Sequence, residues 1–189
     1  YVVFRPGIIA GSDISNLEEL EHNTIYKYGH IIYRAFNLQN GYESKIRLVG
    51  NKLSTLNIIP IDHVIKLIMG IRSSNKNNMI FNLTNEKNCT CNSVVEGVKE
   101  SLNFEEGYIF NENLDFTSLS DAERLAYQFT KPFWGYTLGD NTEWSIDNTK
   151  YLRRKLGLVP IDNLWIKNHL KIYFKQVEKF EKEKHNLQI

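Results

Sequence analysis

Cysteine, proline and an excess of either charge are all scarce in this chain, and each shortage removes a class of explanation. The two cysteines, Cys89 and Cys91, stand two positions apart in 189 residues. That spacing is too close for an ordinary structural disulfide, and two thiols are too few for a zinc site. They read as reduced thiols of a cytoplasmic protein. His22, His30, His169 and His185 pair at no metal-ligand spacing, so no metal is expected. With 23 basic and 22 acidic residues, the net charge is +1. Such a balance provides no field for a polyanion, and nucleic acid is not an expected partner. No transmembrane segment is expected either: the greasiest stretch, Leu56 to Ile71, is interrupted by Asn57, Pro60, Asp62, His63 and Lys66. Ser12, Ser44 and Ser54 lack the surroundings of a hydrolase nucleophile. The Asn82-Leu83-Thr84 and Asn88-Cys89-Thr90 sequons read as chance matches in an Asn-rich chain.

What is present is an alternation of short apolar runs with helical periodicity. Tyr1 to Phe4 and Met79 to Leu83 read as strands, each a nearly continuous apolar run of the kind covered on both faces. Between them come a loop over 6–23 with an acidic patch at Glu18, Glu19 and Glu21, and a helix capped by Thr24 and ended at Asn40-Gly41. Extended pieces follow at 45–49 and 55–59, then a helix over 61–71 that is greasy all round and therefore expected between layers. A helix lying between two strands implies a crossover, and the spacing predicts that the first strand and the Met79 strand are parallel. Downstream, Thr90 caps a helix to Leu102, Gly107 to Phe110 is a strand, and Ser120-Asp121-Ala122-Glu123 forms a capping box. Asp147 caps a helix closed by Gly157. Ile166, Leu170, Tyr173, Val177 and Phe180 make an apolar stripe on a long final helix, expected to lie on its own domain rather than in a coiled coil.

Three segments in this order, VVFRPGIIAG, IIPIDHVIKLI and SIDNTKYLRRKLGLVP, together resemble the C-terminal half of extended short-chain dehydrogenase/reductases. The I-P-I-D-H-V form and the segment MIFNLTNEKNCTCNSVVEGVKESL are most similar to fatty acyl-CoA reductases of the male-sterility type and to thioester reductase domains. The resemblance implies an α/β fold: late parallel strands of a Rossmann-type sheet over 1–110 and a mainly helical substrate lobe over 111–189. It implies NADP as the cofactor of the complete protein, and as substrate an acyl thioester on coenzyme A or a carrier protein. Pro6, Gly7, Ile8 and Ile9 match the segment that lines the nicotinamide. Tyr26, Tyr28, Tyr33 and Phe36 are the expected wall of an acyl pocket, with a core role as the alternative.

In that family a Gly-x-x-Gly-x-x-Gly loop and a proton-donating Tyr-x-x-x-Lys pair both lie ahead of the Arg-Pro-Gly strand. No such loop occurs in these residues, and Tyr1 is followed four positions later by Arg5. The chain is therefore expected to be the back half of an enzyme, without catalytic residues and inactive until joined to its N-terminal portion. Two other readings stay open: the same portion of a nucleotide-sugar epimerase or dehydratase, and a non-catalytic binding module. The aromatic stretch Phe129, Phe133, Trp134, Tyr136 and Trp144 reads first as core, with the border of a substrate mouth or a partner surface as the alternative. The basic cluster Lys150, Arg153, Arg154 and Lys155 reads as a solvated helix end, with contact to the phosphates of a carrier such as coenzyme A as the alternative. An exposed sheet edge beside Tyr1 to Phe4 is expected to favour self-association.

Overall fold

The computed structural model describes residues 1–11, 23–39, 45–74, 77–105, 107–139 and 143–186. Its strands, in chain order, are Val2–Pro6 (β1), Ile8–Ala10 (β2), Ile46–Val49 (β3) and Thr55–Leu56 (β4). Ile58–Pro60 (β5), Met79–Leu83 (β6), Cys89–Thr90 (β7) and Tyr108–Asn111 (β8) complete the set. Four two-stranded pairings result. Three are parallel: β1 with β6, β2 with β5, and β3 with β8. Among the described residues the β4–β7 pair alone is antiparallel. This is the α/β class that the apolar runs imply. The expected pairing of the first strand with the Met79 strand is present, with Val2 opposite Met79 and Pro6 opposite Leu83. The Phe4 and Phe81 rings meet across it, tilted by 36° with centroids 6.2 Å apart.

The chain between these strands differs from its sequence reading in two places. The segment read as loop after Pro6 contains β2, and the single extended piece at 55–59 is two strands divided at Asn57. Periodicity cannot reveal either, because strands of two or three residues carry too little alternation. Asn40 and Gly41, and the acidic patch at 18–21, lie outside the described residues. The Ile61–Arg72 helix connects β5 to β6 and buries Val64, Leu67 and Ile71 against Phe81 and Leu83. It is amphipathic rather than greasy all round in its packing: Ile65 and Met69 are exposed.

Most of the buried side chains form one cluster that runs from Ala10 to Val177 and draws on both halves of the chain. The Thr24–Gln39 helix is central to it, and the Asn163–Asn186 helix packs along Cys91–Ser101. That last pair approaches closely at Gly97, where a β-carbon would meet the Lys167 carbonyl oxygen at 2.6 Å. The apolar stripe of the final helix thus lies on its own domain, with Ile166, Leu170, Tyr173, Phe174 and Val177 buried. Thr90 caps its helix through the Ser93 amide, and Ser120 with Glu123 completes a capping box, both as the sequence predicts. The helix at 147 departs from expectation: Ile146 holds the cap position, and Asp147 sits in the first turn, bonded to Ser145.

The edge of β6 away from β1 is covered, because Asn148 donates to the Ile80 carbonyl and Asn82 donates to Ser145. On the β1 side Tyr1 remains 82% exposed. Among the described residues no helix is long and apolar enough to cross a membrane.

Candidate functional site

A cavity of about 550 Å³ opens where β1 ends and β2 begins. Pro6, Gly7, Ile8 and Ile9 form one wall, so the segment singled out from the sequence does face a cavity. Thr55, Leu56 and Asn57 form a second wall, Asn23 and Thr24 bring the start of a helix, and Gly135, Tyr136 and Trp144 close the far side. Its position beyond the carboxyl end of a parallel strand is where sheets of this type accommodate ligands. The helix beginning at Thr24 has no acidic side chain in its first turn, and the partial positive charge of a helix start is suited to a negative group.

Asn57 fixes this geometry. Its carbonyl accepts from the Ile8 amide at 2.8 Å, its Nδ2 donates to the Asn85 carbonyl and to Asn88 Oδ1, and its Oδ1 accepts from the Asn85 amide. Asn85, itself buried, exchanges two further bonds with the Ile161 backbone. The break between β4 and β5 is therefore a polar stitch joining β2 to the C-terminal half. Gly7 belongs to the same stitch, since a β-carbon there would fall 2.6 Å from Asn57 Oδ1. Asn88 of the second sequon donates to Thr55, so that asparagine also serves an internal bond.

These facts decide how a nicotinamide ring fits. The amides of Gly7 and Ile8 are already engaged, with Leu83 and Asn57 carbonyls respectively, and cannot bind a carboxamide. Pro6, Ile8 and Ile9 instead offer an apolar surface suited to a ring face. Asn23, Thr24 and Tyr136 bring amide and hydroxyl groups to the opposite walls. The residues fit such a group through packing rather than through the Gly7 and Ile8 amides.

The expected acyl wall lies elsewhere. Tyr26, Tyr28, Tyr33 and Phe36 are all buried in the main core, and none lines the cavity. Tyr26 accepts from the Gly11 amide at 2.9 Å and shares a 2.6 Å hydrogen bond with His169 Nε2. Burial pushes this phenol up to about 12, opposed by the Gly11 bond, and lowers His169 to about 4. Tyr28 packs edge-on against Phe133, Tyr33 stacks on Phe174, and Phe36 stacks on Phe104. Aromatic residues at helical spacing fit a core helix and a pocket-lining helix equally, so the sequence could not separate them.

The aromatic stretch read as core divides. Phe133 packs on Tyr28 and Trp134 on Tyr127, whereas Tyr136 and Trp144 face the cavity and Phe129 is exposed. The basic cluster divides too. Lys150, Arg154 and Lys155 are solvated, but Arg153 is buried, donating to Thr149 Oγ1 at 3.1 Å and to the Thr84 carbonyl. Burial lowers its pKa, with Glu86 opposing. A charged pair absent from the sequence reading joins Glu123 to Arg47, with Nε at 2.7 Å from Oε1. Burial would raise the Glu123 carboxyl, yet the bonds from Arg47 and from the Ser120 amide hold it below its usual value.

The Tyr-x-x-x-Lys spacing does occur further along the chain, as Tyr127 with Lys131 and Tyr151 with Lys155. Neither pair lines the cavity. Tyr127 packs against Trp134, and Tyr151 is 77% exposed. Cys89 and Cys91 are free, buried thiols pushed up to about 12 by burial, with Asp162 adding to the rise at Cys89. His63 is half-buried, its pKa lowered by burial and by Lys66 and Arg153. No cluster of three or more metal-binding side chains exists among the described residues.

No protein-family model matches the chain. No curated protein matches it either. Solved structures do match in fold. UDP-glucuronic acid 4-epimerase from Bacillus cereus, in complex with UDP-glucuronic acid and NAD, is similar at 12% identity with a TM-score of 0.51, covering 93% of this chain and 45% of that one. A GDP-L-fucose synthetase from Naegleria fowleri is similar at 16% identity with a TM-score of 0.50, covering 94% and 46%. UDP-N-acetylglucosamine 4-epimerase from Methanobrevibacter ruminantium, in complex with UDP-N-acetylmuramic acid, is similar at 13% and 0.50, covering 92% and 46%. The chain spans less than half the length of these structures. The likeness is one of fold: the chain has the α/β architecture found in these nucleotide-sugar enzymes.

Proposed function

We propose that this chain forms the substrate side of a nicotinamide-dependent reductase acting on acyl thioesters. The carrying observation is that the Arg5-Pro6-Gly7 turn and the two residues after it open onto a cavity at the end of a parallel strand. Pro6, Gly7, Ile8 and Ile9 form the cofactor wall in this reading, and NADP follows from the family that the I-P-I-D-H-V segment resembles. The cofactor supplies the hydride. This chain's residues pack against the ring, orient the carbonyl and exclude water. Tyr136 and Trp144 close the substrate side. Tyr26, Tyr28, Tyr33 and Phe36 act from behind, holding the helix whose first turn reaches the cavity. An upstream segment provides the phosphate-binding loop and the proton donor.

The nucleotide-sugar reading is favoured by a different observation, the fold shared with an epimerase that holds UDP-glucuronic acid and NAD. One assay separates the two. The complete enzyme is offered NADPH with an acyl-CoA, and NAD with a UDP-sugar. NADPH consumption with the thioester alone is expected. Interconversion of the sugar without net cofactor loss replaces the proposal with the epimerase reading, and inertness in both arms leaves a binding module.

A further inference from the structure

One turn along the helix that reaches the first cavity, a second cavity of about 360 Å³ opens between Thr24–Gln39 and Asp121–Thr130. That space equals roughly a dozen water volumes. Its chemistry is divided. Lys27 and Arg34 stand on one side, seven positions apart and therefore on one helical face. Leu125, Phe129, Pro132 and Phe133 make the other side apolar. We infer that this cavity binds a small amphipathic organic anion, its negative head between Lys27 and Arg34 and its alkyl or aryl body on Phe129 and Phe133.

Three observations carry the assignment. Both cations are exposed, the described ion pairs involve other residues, and no carboxylate lines the cavity among the described residues. Two positive groups that form no ion pair among the described residues favour an anion from solution, where a charge-assisted bond is the stronger kind. The apolar side is both open and rigid. Phe129 is 53% exposed at the mouth, while Phe133 is braced edge-on by Tyr28 at 5.4 Å. The rear is also preformed, because His30 is bonded to Tyr173 Oη at 2.9 Å and set edge-on to Phe174. A neutral amphiphile would satisfy only the floor, and an inorganic anion only the rim. The assignment stands apart from the reductase reading, since none of these residues lines the first cavity.

The test titrates octanoate, octanol and inorganic phosphate separately into the isotope-labelled chain while its amide resonances are followed. Octanoate is expected to shift resonances within 27–34 and 125–133 at about millimolar concentration or below. The Lys27→Gln/Arg34→Gln variant should weaken octanoate by about tenfold or more and leave octanol unchanged. Both side chains are exposed, so its melting temperature should match that of the parent. Phe129→Ser should weaken octanoate and octanol alike. The inference is overturned by an absence of shifts at about 10 mM, by octanoate binding that survives charge removal, or by phosphate alone binding there as tightly as octanoate.

Discussion

Gly7 and Asn57 are in such close contact that a β-carbon on Gly7 would fall 2.6 Å from Asn57 Oδ1 and 2.8 Å from its carbonyl oxygen. The side chain of Asn57 cannot turn away without abandoning its bonds to Asn85 and Asn88. Gly7→Ala should therefore destabilise the fold by about 1–3 kcal/mol, the usual cost of forced overpacking. Urea denaturation measures this directly. A cost below about 0.5 kcal/mol would mean that glycine is not needed there for packing.

Stability should decline as pH falls from about 6.5 to about 4, because burial depresses His169 to about 4. The sign follows from proton counting. In that interval the unfolded imidazole is protonated while the buried one is not, so the unfolded state binds more protons and acid favours it. The full effect approaches roughly 3 kcal/mol, at about 1.4 kcal/mol per factor of ten. His169→Gln retains a hydrogen-bonding group beside Tyr26 but does not titrate, and it should flatten this part of the urea-stability profile. An unchanged slope would assign the acid sensitivity elsewhere.

Cys89 and Cys91 should be inert toward thiol reagents in the folded protein. Both are fully buried with thiols pushed up to about 12, leaving about one thiolate in ten thousand near pH 8. Labelling followed by mass spectrometry should track the urea unfolding transition. Rapid labelling without denaturant would contradict the burial.

The parallel pairing of β1 with β6 was legible because each strand is a continuous apolar run with a buried helix between. The caps at Thr90 and Ser120 were legible because their side chains bond within three residues. Arg153 was not, since its burial depends on Thr84 arriving from a distant loop, and nothing in Lys150 to Lys155 separates one arginine from the next. Asn57, Asn85 and Asn88 were hidden in the same way: their partners are remote in sequence, and an Asn-rich chain offers many equivalent candidates. The wall at Pro6 to Ile9 was found through a family resemblance. Its facing residues, Gly135, Tyr136 and Trp144, come from an aromatic stretch that fits both a core and a pocket mouth in sequence.

Gly135 provides the sharpest test of the first cavity as the reaction site, because it lines that cavity and a β-carbon built there meets nothing within 4 Å. Gly135→Trp is expected to fill the space and keep the fold, since its β-carbon meets no neighbour. In the complete enzyme, the KM for the acyl thioester under NADPH turnover is expected to rise about tenfold or more at an unchanged melting temperature. Parental kinetics in the folded variant would contradict placing the reaction there.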